Sequence, residues 1–211
     1  ALSTSTPNNN LSTVTPSITI PIVICPGFGN DAIDYSEPLQ QPREVGFVSA
    51  LERRGCDPQS ISVLDIKRSD WIRVAGGLFD VNFYRNCAEP TGGGYGWYVK
   101  KLTECITEAH AAGGGEQKVL LIGHSAGGWL ARAALAEEEV RDKVACLTTL
   151  GAIHRPPEDI ASCVTRGALA YTDREYPGAF LRDRGVGYVS VGGDAITGDM
   201  SKQEVIESDA D

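Results

Sequence analysis

The sequence is short of cations, of histidine and of long apolar runs, and each shortage removes a class of function. Lys and Arg number 19 against 28 Asp and Glu, for a net charge of −9. Nucleic-acid binders need clustered Lys and Arg, so no nucleic-acid partner is expected. The overall balance also disfavours an electrostatic grip on anionic lipid. No apolar run approaches the ~18 residues of a membrane span. The longest, Ile18 to Cys25, is strand-sized and contains Pro21. Six cysteines occur, but no C-x-x-C pair, and none has a histidine at metal-ligand spacing. No metal and no organic cofactor is implied. Cys25 and Cys146 fall in apolar runs, where cysteine serves as a small apolar residue. Reduced thiols are expected, with a disulfide among the loop cysteines as the alternative.

What is present suits one folded domain. At 42% hydrophobic residues, 211 residues can bury a real core. Apolar β-rich runs alternate with helical patterns. Strands are predicted over Ile18–Cys25, Ser60–Ile66, Lys118–Ile122, Lys143–Ile153 and Gly187–Val191. Helices are predicted over Arg43–Arg54, Trp97–Ala112, Ala126–Glu138 and Ser162–Tyr171. This alternation implies an α/β three-layer sandwich, with a mostly parallel central sheet and helices on both faces. Residues 67–96 resist assignment. They hold Trp71, Phe79, Phe83, Tyr84 and a Gly92-Gly93-Gly94 run. A connection this long points to a lid or a pocket wall. Residues 1–17 are rich in Ser, Thr, Asn and Pro and carry no charge, and such a segment cannot build a core.

The chemistry centres on Gly123-His124-Ser125-Ala126-Gly127, a G-x-S-x-G motif. The bare pattern is common. Its setting is not, because a buried strand feeds into it and a helix leaves it. A tight strand-to-helix turn would hold Ser125 at its apex, with glycines where a Cβ would collide. The helix N-terminus would then offer N–H groups to a developing oxyanion. Ser125 is therefore the candidate nucleophile, against the plainer reading of a turn serine. Pro26-Gly27-Phe28-Gly29 follows an earlier strand. There the N–H of Phe28 would pair with that of Ala126 as an oxyanion hole, against an ordinary Pro-Gly turn.

These stretches resemble the α/β-hydrolase superfamily, and within it lipase/esterase-like proteins of plants and cyanobacteria related to GPI inositol-deacylase-like lipases. The resemblance rests on Cys25 to Asn30, Asp70-Trp71, Gly96-Trp97-Tyr98, Gly123 to Arg132, Thr149 to His154 and Tyr176 to Ala179. Ala152-Ile153 departs from the Thr-Pro usual there. The resemblance implies ester hydrolysis by a serine hydrolase on a small-molecule or lipid ester. An acyltransferase would use the same parts, and a non-catalytic ligand-binding protein is the competing class. It also implies that residues 18–211 form a hydrolase domain lacking its last strand and its His-bearing loop. Residues 1–17 would be a disordered extension or a transit-peptide remnant, giving a plastid location with a cytoplasmic one as alternative.

A serine nucleophile needs a base, and in this fold the order is Ser, then Asp or Glu, then His. His124 adjoins Ser125 and is expected to pack beside the turn. His110 sits near a helix end. His154 is expected to organise its loop through hydrogen bonds. The true base is thus expected after residue 211. Asp194 is the candidate acid, with Asp199 behind it; turn and capping roles are the plain alternative for both.

Overall fold

The computed structural model describes residues 17–39, 41–159 and 162–193. The N-terminal extension up to residue 16, Asp194 and Asp199 lie outside the described residues. The elements run β1 Ile22–Cys25, α1 Phe47–Glu52, β2 Ile61–Val63, α2 Val81–Tyr84, α3 Gly96–Ala112, β3 Val119–His124, α4 Ala126–Ala134, α5 Glu138–Arg141, β4 Val144–Leu150, α6 Ala168–Glu175 and β5 Gly187–Val191. A 3-10 helix over Arg68–Phe79 precedes α2. The five strands form one sheet in the order β2-β1-β3-β4-β5, and every pairing is parallel. The expected α/β sandwich is present.

The strands alternate their side chains between two cores. Val23, Cys25, Val119 and Leu121 face a cluster with α3, α4 and α6, including Leu102, Ile106, Leu130 and Leu169. Ile22 and Ile24 face the other way, with Leu120 and Ile122, onto Tyr35 and α1. Burying each such aliphatic side chain is worth about 1.5–3 kcal/mol. Both faces of a parallel sheet must be covered, which is why these strands read as continuous apolar runs.

The winding direction sets where a ligand can sit. From β1 the chain moves outward to β2, crosses back to β3, and then moves outward the other way to β4 and β5. The reversal falls between β1 and β3. Open α/β sheets bind ligands at the carboxyl ends of the strands flanking such a switch point. Pro26-Gly27-Phe28 leaves β1 there, and Ser125 leaves β3.

Several elements differ from the sequence prediction. Pro21 lacks an N–H, so β1 begins at Ile22, and Ile18 makes only an isolated bridge to Cys56. The helix expected over 43–54 breaks at Gly46, whose backbone is extended (φ −60°, ψ 150°), into a 3-10 turn and α1. A side chain at Gly46 would stand 2.7 Å from the Ser36 carbonyl oxygen, which explains the residue. β2 covers only Ile61–Val63 of the strand expected over Ser60–Ile66. The helix expected over 126–138 splits into α4 and α5. β4 stops at Leu150 because Gly151 turns to φ 55°. α6 starts six residues later than expected, after Arg166 and Gly167 take positive φ.

Candidate active site

Ser125 sits between β3 and α4 with φ 50° and ψ −121°. A non-glycine residue there is strained by about 1–3 kcal/mol and persists only where its surroundings enforce it. The surroundings are glycines in close contact. A Cβ on Gly127 would stand 2.2 Å from the Cys25 carbonyl oxygen, and one on Gly123 would stand 2.5 Å from the Gly128 Cα. A Cβ on Gly27 would stand 2.9 Å from the Ser125 Cβ. The loop after β1 and the turn after β3 therefore pack backbone to backbone. The Ser125 N–H also donates to the Leu150 carbonyl at 3.0 Å, which ties the turn to β4. Ala126 opens α4, so its N–H belongs to the group without an intrahelical acceptor. An anionic oxygen held above Ser125 would meet that helix end.

Two tyrosines fix the loop after β1. The Gly27 N–H donates to Tyr35 Oη at 3.0 Å, and Tyr98 Oη donates to the Pro26 carbonyl at 2.8 Å. Both phenols are kept protonated by burial, which pushes the Tyr35 pKa up to about 12 and holds that of Tyr98 well above the ordinary phenol value. Tyr35 Oη also bonds His124 Nδ1 at 2.8 Å. With the Gly27 amide engaged by Tyr35, Phe28 carries the next amide along the loop. The Phe28 ring lies 4.9 Å from Trp71, which meets Trp97 edge to face and Tyr98 at a tilt. Trp71 Nε1 donates to the Asn30 carbonyl, and Arg68 Nε donates to that of Gly29. Sequence reasoning missed Tyr35 and Tyr98 as supports. Tyr98 lies far along the chain from the loop it holds, and Tyr35, though near in sequence, reaches it by a fold-back that only contact geometry reveals.

The rings of His124 and His154 are bonded away from Ser125. His124 packs beside the turn, as expected, against Tyr35. His110 is in the last turn of α3, and its carbonyl accepts from the Gly115 N–H. His154 Nε2 bonds Thr149 Oγ1 at 3.0 Å. Its carbonyl accepts from Arg132 Nη2 at 2.9 Å. His154 is thus the expected loop organiser. Burial and the Arg132 charge lower its pKa, against an opposing pull from Asp173. The Arg132 side chain is 3% exposed and lies 3.7 Å from Asp173. Arg132, His154, Asp173, Tyr188 and Ser190 line a cavity of about 710 Å³. A smaller one, about 330 Å³, borders Tyr35, His124 and Leu150. Among the described residues no hydrogen bond joins Ser125 Oγ to a histidine, and no group of three His, Cys, Asp or Glu side chains could hold a metal ion. No helix among them is long and apolar enough to cross a membrane. The six cysteines are free thiols.

A family model described as alpha/beta hydrolase fold matches residues 20–176. No curated protein matches the chain.

Proposed function

The chain belongs to the alpha/beta hydrolase fold family, and on that premise we propose that it is a serine hydrolase cleaving carboxylic esters through an acyl-enzyme on Ser125. The observation that carries the reading is the strained Ser125 turn at the switch point, with Gly27 in contact. In this reading Ser125 Oγ attacks the acyl carbonyl. The N–H groups of Phe28 and Ala126 hold the tetrahedral oxygen, each such donor being worth about 2.7–4 kcal/mol in comparable sites. The leaving alcohol takes a proton, and water then releases the acyl group. In this reading a histidine takes the Ser125 proton, with Asp194 as its carboxylate partner; His124 and His154 are each bonded to another side chain. The Phe28, Trp71 and Trp97 cluster favours a lipophilic acyl group, in keeping with the lipase/esterase-like resemblance.

The same occupied histidines favour a second reading, a ligand-binding protein with an unactivated serine. Intact-mass labelling with a fluorophosphonate separates the two. The 211-residue chain and a C-terminally extended one are each compared with Ser125→Ala. A single Ser125-dependent adduct on the extended chain alone supports the hydrolase with its base beyond Asp211. Labelling of both keeps the hydrolase and moves the base to His154. Two folded, unlabelled chains would overturn the hydrolase reading.

A further inference from the structure

Arg132 lies about two turns along α4 from Ser125. Its side chain is 3% exposed, so a full charge sits inside the fold. The surroundings satisfy it poorly. Nη2 donates to the His154 carbonyl at 2.9 Å. Asp173 Oδ1 stands 3.7 Å from the same nitrogen, beyond hydrogen-bond reach. Nε is buried and bonds nothing among the described residues. A charge held by so few bonds recovers little of what its desolvation costs, and an apolar side chain of similar volume would pack there as well or better. Packing therefore does not account for an arginine at this position.

Its partner carbonyl points to a different task. Residues 151–154 leave β4 at Gly151, where φ is 55°. They press on the first turn of α4, since a Cβ on Gly128 would stand 2.4 Å from the Ala152 Cβ. The segment continues from Leu150, whose carbonyl accepts the Ser125 N–H at 3.0 Å. Three bonds close it. The Gly151 N–H donates to the Val191 carbonyl at 2.8 Å, His154 Nε2 bonds Thr149 Oγ1 at 3.0 Å, and Arg132 donates to the His154 carbonyl. The first two hold the segment to the sheet, and the last holds it to α4.

We infer that Arg132 is a positioning residue for the Ser125 turn: by holding the His154 carbonyl it fixes the exit of β4 against α4, and so keeps the Leu150 carbonyl where it anchors the Ser125 N–H. Asp173, on α6, steadies the guanidinium from the other side. A planar group with donors in a fixed fork suits this double contact, and an ammonium, a point charge on a flexible stem, does not. The catalytic meaning of the positioning rests on the ester-hydrolase reading.

Amide hydrogen exchange, followed by NMR without substrate, compares the wild type with Arg132→Met. Exchange should become about tenfold faster at Ser125 and Gly151, whose N–H groups bond Leu150 and Val191. Leu64, bonded to the Ile24 carbonyl at the other side of the sheet, should keep its rate, and the urea midpoint should not fall. Arg132→Lys should lie between the two proteins, and it decides alone if Arg132→Met does not fold. Wild-type rates at Ser125 and Gly151 in the folded variants would overturn the proposal. So would a loss of protection spread evenly over Ser125, Gly151 and Leu64, which is what a packing role produces. On a chain that takes the fluorophosphonate, Arg132→Met should lower the maximal labelling rate about tenfold and leave the half-saturating probe concentration unchanged. The reverse pattern would overturn the positioning role. Exchange needs no chemistry, so a chain that never labels defeats the hydrolase reading alone.

Discussion

Tyr35 Oη and His124 Nδ1 lie 2.8 Å apart, and the direction of their bond is fixed by a third group. The phenol already accepts the Gly27 N–H at 3.0 Å. Its own proton is retained, because burial pushes its pKa up to about 12. Tyr35 therefore has its hydroxyl proton to donate to Nδ1. A side chain from before α1 thus links the turn holding Ser125 to the loop holding Phe28. Tyr35→Phe removes both bonds while keeping the ring. It should slow acylation of Ser125 by about tenfold, the worth of one hydrogen bond that aligns a donor. The melting temperature should fall by only about 2–4 °C. Labelling rates and a thermal scan on one preparation check both halves.

The backbone at Ser125 stores strain, and a glycine would release it. Glycine usually costs about 0.5–1 kcal/mol relative to alanine in regular structure. At φ 50° the order should reverse. Ser125→Gly should be about 1 kcal/mol more stable than Ser125→Ala. Urea denaturation of the two variants decides it.

Gly127 admits no side chain. The added Cβ would meet the Cys25 and Pro26 carbonyl oxygens at 2.2 and 2.7 Å, both backbone atoms that cannot swing away. Gly127→Ala should cost about 3 kcal/mol or prevent folding. Gly192→Ala is the control, since nothing lies within 4 Å of its added Cβ. Its effect should stay within about 0.5 kcal/mol. Soluble yield and chemical denaturation compare them.

His154 couples stability to pH. Burial first, then the Arg132 charge, holds its folded pKa below the ordinary 6.5. Between the two values the unfolded chain binds more protons, so stability rises with pH. Its contribution is fully present above 6.5 and is lost as pH falls through the folded value. His154→Gln should flatten the stability profile just below that pH, before the carboxylates titrate. Denaturation midpoints across that range, wild type against variant, measure it.

The centre of the fold was legible in the sequence. β5 has the expected bounds, α3 starts one residue early, and the strand–Ser125–helix unit lies where the G-x-S-x-G motif put it. These segments have strong periods and glycine or serine punctuation. The 3-10 helix over Arg68–Phe79 was not legible, because its period of three matches neither the helical nor the strand template. The break at Gly46 depends on the Ser36 carbonyl, a contact that composition cannot express. Tyr35 and Tyr98 stayed hidden for the same reason, each meeting the loop after β1 through a side-chain bond to its backbone.

The strand order also constrains the sequence of events during synthesis. β1 emerges among the first strands, yet its inner neighbour β3 spans Val119–His124. Closing that pair gathers a loop of nearly a hundred residues, and such non-local pairings form slowly. Until they form, the two ends of Cys25-to-Gly127 contact remain apart, and nothing holds Ser125 at positive φ. The distorted serine is therefore assembled late, after the chain has left the ribosome well past α4. A newly made molecule passes through a stage in which its serine is an ordinary, relaxed residue.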